Sequence, residues 1–78
     1  MPRYFLHLRD GIDIALDEEG NEFASIEDLQ TAVLKSARDC IAGDALAGRI
    51  DLRLRIDAED ENGRVIHSLP FAEAVTII

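Results

Sequence analysis

Two histidines, one cysteine and two acidic clusters are the residues of this 78-residue chain whose chemistry could serve a site. His7 and His67 both fall in stretches that alternate as strands do. Two imidazoles and a carboxylate can hold zinc, but no HxxxH or CxxC spacing supports it, and a strand histidine paired with a neighbouring acid is the simpler reading. The stretch Asp57, Glu59, Asp60, Glu61, Asn62, Gly63 loosely echoes a calcium loop, with oxygen ligands ahead of a glycine. The bidentate glutamate that such a loop needs at its twelfth position would fall near Ser68 and is missing. Asp17, Glu18, Glu19 and Glu22 form the second cluster, and both clusters read as solvated turns. Cys40 lies on the apolar stripe of a helix, where it reads as a small core residue rather than a nucleophile. No serine stands in a nucleophile-elbow context and no glycine-rich phosphate loop occurs. No catalytic residue, metal ligand or cofactor is assigned, and the chain is not expected to be an enzyme.

Binding is the chemistry left to consider, and the alternation of the strands gathers candidates on one face. Tyr4, Leu6 and Leu8 point one way from the first strand, and Arg3, Phe5, His7 and Arg9 the other. Arg53 and Arg55 of a later strand are placed with the second set. The candidate interaction surface is therefore Phe5, His7, Arg9, Arg53, Arg55 and Ile66. One reading makes it a recognition surface for an acidic ligand or RNA, with Phe5 as a stacking platform. A second is ordinary pairing of the arginines with Asp51, Asp57 and Asp13. The third, which is preferred, is an apolar patch around Phe5 and Ile66 that a second copy of the chain buries. A single helix covers only one face of a sheet, so the other meets either water or a partner.

These positions require a scaffold, and the patterning supplies one. Residues 3–9 read as a strand, Asp10-Gly11 as a turn, and Ile12, Ile14 and Leu16 as one face of a shorter strand. Ser25 is placed to cap a helix whose first turn carries Glu27 and Asp28. Ile26, Leu29, Val33, Ser36, Ala37, Cys40 and Ile41 then recur at spacings of three and four. Gly43 can end or loosen that helix, and Ala45-Leu46-Ala47 can carry it to Gly48. Residues 50–58 alternate between apolar and charged side chains as a half-buried strand, and Asn62-Gly63 marks a hairpin turn to a fourth strand over 64–69. Pro70 stops the ladder, and Phe71 to Val75 forms one helical turn or stays extended. The expected fold is α+β, β-β-α-β-β: a four-stranded antiparallel sheet with one amphipathic helix on one face, forming a single domain over 1–78. The expected core is Tyr4, Leu6, Leu8, Ile14, Leu29, Val33, Ala37, Ile41, Leu52, Leu54, Ile56 and Phe71.

Composition narrows the partners. Sixteen acidic against eight basic residues give a formal charge of −8. That field repels phosphate backbones and anionic membranes, so nucleic acid and membrane are not expected partners; it leaves basic or neutral ones open, and such a charge more often serves solubility alone. One cysteine rules out an intramolecular disulfide and fits a reducing compartment. The start of the chain has no apolar secretory region, so a cytoplasmic location is expected.

The opening residues Met1 to Gly11, MPRYFLHLRDG, resemble a family of short stand-alone bacterial proteins of unknown function whose members begin M-P-R-Y-F-F-H-x-R-D-G. The similarity continues through Asp17-Glu18-Glu19-Gly20, Ser36-Ala37-Arg38, Asn62-Gly63-Arg64-Val65 and Leu69-Pro70-Phe71. Leu6 replaces the usual second phenylalanine. The resemblance implies a small free-standing domain in a bacterial cytoplasm, and it brings no activity, cofactor or site residue. The function expected is that of a protein-interaction module that self-associates, as a dimer, through a sheet face or edge, with an unidentified protein partner also possible.

Overall fold

A computed structural model describes all 78 residues. In chain order the elements are β1 (Arg3–Arg9), β2 (Asp13–Ala15), β3 (Asn21–Glu22), α1 (Ile26–Leu46), β4 (Arg55–Glu59), β5 (Val65–Pro70) and α2 (Phe71–Ala74). All pairings are antiparallel, in the order β2-β1-β4-β5, with β3 also paired to β1. The α+β class with one long helix on an antiparallel sheet is as the patterning implies. β3 adds to the four expected strands, and Phe71–Ala74 takes the helical-turn alternative as α2.

Helix α1 starts where the sequence places it. The Ser25 hydroxyl accepts from the Asp28 amide at 3.1 Å, and Glu27 and Asp28 sit at the positive end of the helix dipole. The helix runs through Gly43 without ending there, and the chain leaves it at Gly48, which takes φ +85°. Leu29, Val33, Ala37 and Ile41 are its buried stripe. They close on Tyr4, Ile56, Ala58, Phe71 and Ala74 to make the core, with Leu6, Leu8, Leu52 and Leu54 packed partly buried around it.

Three expectations are corrected. Ile14 is half-exposed instead of buried. Leu8 pairs with Ala15 and Arg9 with Asp13, so β2 carries a bulge with Ile14 as its extra residue, and Ala15, itself exposed, takes the position opposite Leu8. Cys40, expected in the core, is exposed. Its stripe is wider than the surface the helix buries, so Cys40 falls on the flank. The strand expected over 50–58 begins only at Arg55. The Asp51 carboxylate accepts from the Arg53 amide at 3.0 Å and grips the Arg53 guanidinium, closing a turn that competes with extended pairing. Arg53 therefore stands off the sheet.

Along the edge of β1 away from β4, residues 13–22 run antiparallel, and the ladder breaks between β2 and β3. Asp17 fills the break. Its carboxylate accepts from the amides of Leu6 (3.3 Å), Glu19 (3.2 Å) and Gly20 (3.0 Å). Gly20 is held at φ +70°, and a Cβ there would lie 2.8 Å from the Tyr4 carbonyl oxygen and 2.9 Å from the Phe5 ring. Gly11 has the same φ with nothing near it. Gly20→Ala is expected to cost about 1–3 kcal/mol, and Gly11→Ala less, because only the former adds a backbone clash to the left-handed strain. Urea unfolding of both variants checks this, and equal midpoint shifts would contradict it.

Candidate functional site

The outer face of the sheet is set by the β1–β4 register, which opposes Phe5 to Glu59, His7 to Asp57 and Arg9 to Arg55. Two arginines directly across a strand pair repel. Asp57 resolves the conflict. It accepts from Arg9 at 3.0 Å, from Arg55 at 3.1 Å and from the Ser68 hydroxyl of β5 at 2.6 Å. Arg9 also binds Asp13 at 2.8 Å and Glu59, so one guanidinium gathers three carboxylates. With the arginine stems and its neighbours around it, Asp57 is only 4% exposed. Burial by itself would raise its carboxyl, but the hydrogen bonds from Ser68, Arg9 and Arg55 hold it below the ordinary carboxylate value. Arg9 is held further into its charged form by Asp13, Glu59 and Asp57.

His7 belongs to the same network. Its Nδ1 accepts from the Asp17 amide at 3.1 Å, and its Nε2 lies 3.6 Å from Glu59. Phe5 lies beside it, ring centroids 6.4 Å apart and planes 9° apart, with Gly20 close to its Cδ1 and Cε1 atoms. The Phe5 ring is flanked by His7 and Gly20 but stays half-buried, which narrows it as a platform for a base. Asp17 is likewise kept ionised: burial raises it, and the amides of Gly20, Leu6 and Glu19 outweigh that.

Of the six surface residues read from the sequence, Phe5, His7, Arg9 and Arg55 share this face. Arg53 does not: it pairs with Asp51, whose carboxyl it draws down to about 2. Ile66 lies on β5, where Ala58 opposes His67 and Glu59 opposes Val65, so Ile66 is the extra residue of a second bulge. The arginines are paired with Asp13, Asp57 and Asp51, as the second reading of the sequence had it. Sequence reasoning missed Ser68 and the burial of Asp57. An acid in register between two arginines was the available signal.

The other chemistry-bearing residues are dispersed. His7 faces outward with Asp57, and His67 faces the helix side opposite Ala58, so the two cannot share a ligand. Asp60 accepts from the amides of Asn62 and Arg64 and so shapes the hairpin turn. No three His, Cys, Asp or Glu side chains are grouped to hold a metal ion. Burial first, then the carboxylates of Asp44 and Asp39, raise the Cys40 thiol, which is the wrong direction for a nucleophile.

With this geometry in view, the comparison by sequence is decisive on kinship. The chain belongs to the DUF6894 family, described as a domain of unknown function, and matches it over residues 3–72. No curated protein and no solved structure matches the chain. The DUF6894 match takes in every strand, α1 and the whole outer-face network. No helix of this DUF6894 domain is long and apolar enough to cross a membrane.

Two outcomes follow for the DUF6894 network. Arg9→Ala leaves Asp57 buried with Arg55 and Ser68 alone, and is expected to cost about 3 kcal/mol. Arg53→Ala, at an exposed pair, should leave the unfolding midpoint unchanged. Asp57 and Asp17 are both depressed in the folded state. Their stabilisation is complete above about 3.9, the unfolded value, and is lost as pH falls through the folded values. The thermal midpoint should therefore fall on acidification below about pH 4, and Asp57→Asn should flatten that slope. A midpoint flat from neutral pH to pH 2.5 would contradict it.

Proposed function

We propose that the domain is a small interaction module, without catalytic activity, that forms a homodimer at the β5 edge. The observation that carries the reading is the state of that edge. β5 ends the sheet order, has no strand on its far side, and carries no charged residue from Val65 to Pro70. Natural edge strands are usually protected by charges, proline, bulges, cover or closure; β5 has the bulge at Ile66 and a terminal proline but no charge, cover or closing strand. The bulge sets Val65 and Ile66 together opposite Glu59, and both stay exposed, at 48% and 38%. The bulge confines regular pairing to the residues after Ile66, so the two apolar side chains supply most of the contact. A two-fold arrangement of antiparallel edges is self-complementary, and it places this neutral strand at the point of closest approach between two chains of charge −8. The outer face supports association poorly, because its arginines already have carboxylate partners and Phe5 is half-buried beside Gly20. The same pairing disfavours RNA recognition through Arg53 and Arg55.

Sedimentation or light scattering over a concentration series tests the proposal. A dimer is expected that strengthens with added salt, since salt screens the repulsion between acidic copies. Ile66→Glu should shift it to monomer because each copy brings the new charge to the axis, while Phe5→Glu should not, provided it stays folded. A wild-type monomer at high micromolar concentration, or a dimer indifferent to Ile66→Glu, would overturn it.

A further inference from the structure

The opposite side of the sheet carries a second feature. Helix α1 packs on β4, β5 and α2, and reaches less over β1. Leu6 and Leu8, which point toward the helix layer, are therefore only partly buried. The β2 bulge then puts Ala15 in the gap, where the regular alternation would have put the larger Ile14. The result is a cleft of about 280 Å³ with Leu6, Leu8, Ala15, Leu16, Cys40 and Ile56 on its walls. Ser36 and Asp17 are its two polar contributors, and no Lys, Arg or His lines it. An apolar cavity of roughly 150 Å³ takes benzene, so this one has room for a larger apolar body.

Its charge decides what kind of body. Asp17 is fixed in position before any ligand arrives, by the three amides on its oxygens and by its own amide on His7. A carboxylate offers about four acceptor directions, so one remains after those three. Asp39 and Asp44 are near enough to Cys40 to act on its thiol, and the only ion pair among them is Lys35 with Asp39. An anion would be repelled here, and a neutral apolar molecule would gain nothing from the carboxylates. From this open apolar cleft with one carboxylate, Asp17, in its lining, we propose a binding site for a small organic cation with an apolar body, its chain against Leu6, Leu8 and Ile56 and its positive end at Asp17. The site is independent of the β5 edge and lies across the sheet from it.

The probes are n-hexylammonium, n-hexanol and n-hexanoate, titrated into dilute methyl-labelled protein and followed by NMR. Saturable shifts on Leu6, Leu8, Ala15 and Ile56 are expected with hexylammonium, with affinity about ten-fold above hexanoate and hexanol in between. Ala15→Leu fills the cleft and should abolish these shifts while leaving the thermal midpoint equal or higher. Ser36→Leu narrows the cleft from the helix side and serves should Ala15→Leu fail to fold. No saturable shift with hexylammonium, equal affinity for the three probes, or unchanged binding in a folded filled variant would each overturn the proposal. Shifts of the cleft methyls with protein concentration alone would overturn it as well, because the occupant would then be a second copy, for instance through the exposed Ile77 and Ile78.

Discussion

The arrangement of the outer sheet face depends on Asp57. The β1–β4 register sets Arg9 opposite Arg55, and without an anion between them that register would be penalised. Asp57 supplies the anion, Ser68 fixes its orientation from the neighbouring strand, and Arg9 extends the set to Asp13 and Glu59. Four strands, β1, β2, β4 and β5, are tied by side chains as well as by their ladders. Removing one partner of such a buried set is costly because the others stay buried, so a register that separated them would carry the same cost. The face is thereby finished without a second layer, and the long-standing problem of a one-helix sheet is half solved.

The other half is solved incompletely. One helix of 21 residues has to cover a four-strand-wide surface, and it is drawn toward β4 and β5, where Ile56, Ala58 and Phe71 give it a closed core. The β1–β2 side is left thin, held by Asp17 in the break of the ladder and by Gly20 at its close approach to β1. The apolar cleft follows from that shortage of cover. At the far side, β5 ends the sheet with neutral side chains and nothing beside it. Both places where the fold stops short are places where something else can bind.

Much of this was legible in the sequence, and the reasons are local. Ser25 and the stripe from Leu29 to Ile41 announce α1 through capping and a 3.6-residue period, and Asn62-Gly63 announces the β4–β5 turn. The alternation of Arg3 to Arg9 places Phe5, His7 and Arg9 correctly on one face. What failed were features that exist only after pairing. A bulge cannot be seen in a period of two, so Ile14 was put in the core and Ile66 in regular alternation. Residues 50–54 alternate as well as any strand, yet the Asp51–Arg53 turn and the need to return from the end of α1 win over that pattern. The arginines looked like a free basic surface because their acids come from three separate segments, and only the register shows that Asp57 lies between two of them.

The proposed dimer uses the β5 edge and leaves the outer face to water. Amide and methyl NMR spectra recorded from low to high micromolar protein test it most directly. Concentration-dependent shifts are expected at Val65, Ile66, His67 and Ser68, with slowed hydrogen exchange at those β5 amides after Ile66 that face the free edge, and with Phe5, His7 and Arg9 unchanged. Shifts confined to Phe5, His7 and Arg9, with β5 amides indifferent to concentration, would contradict it.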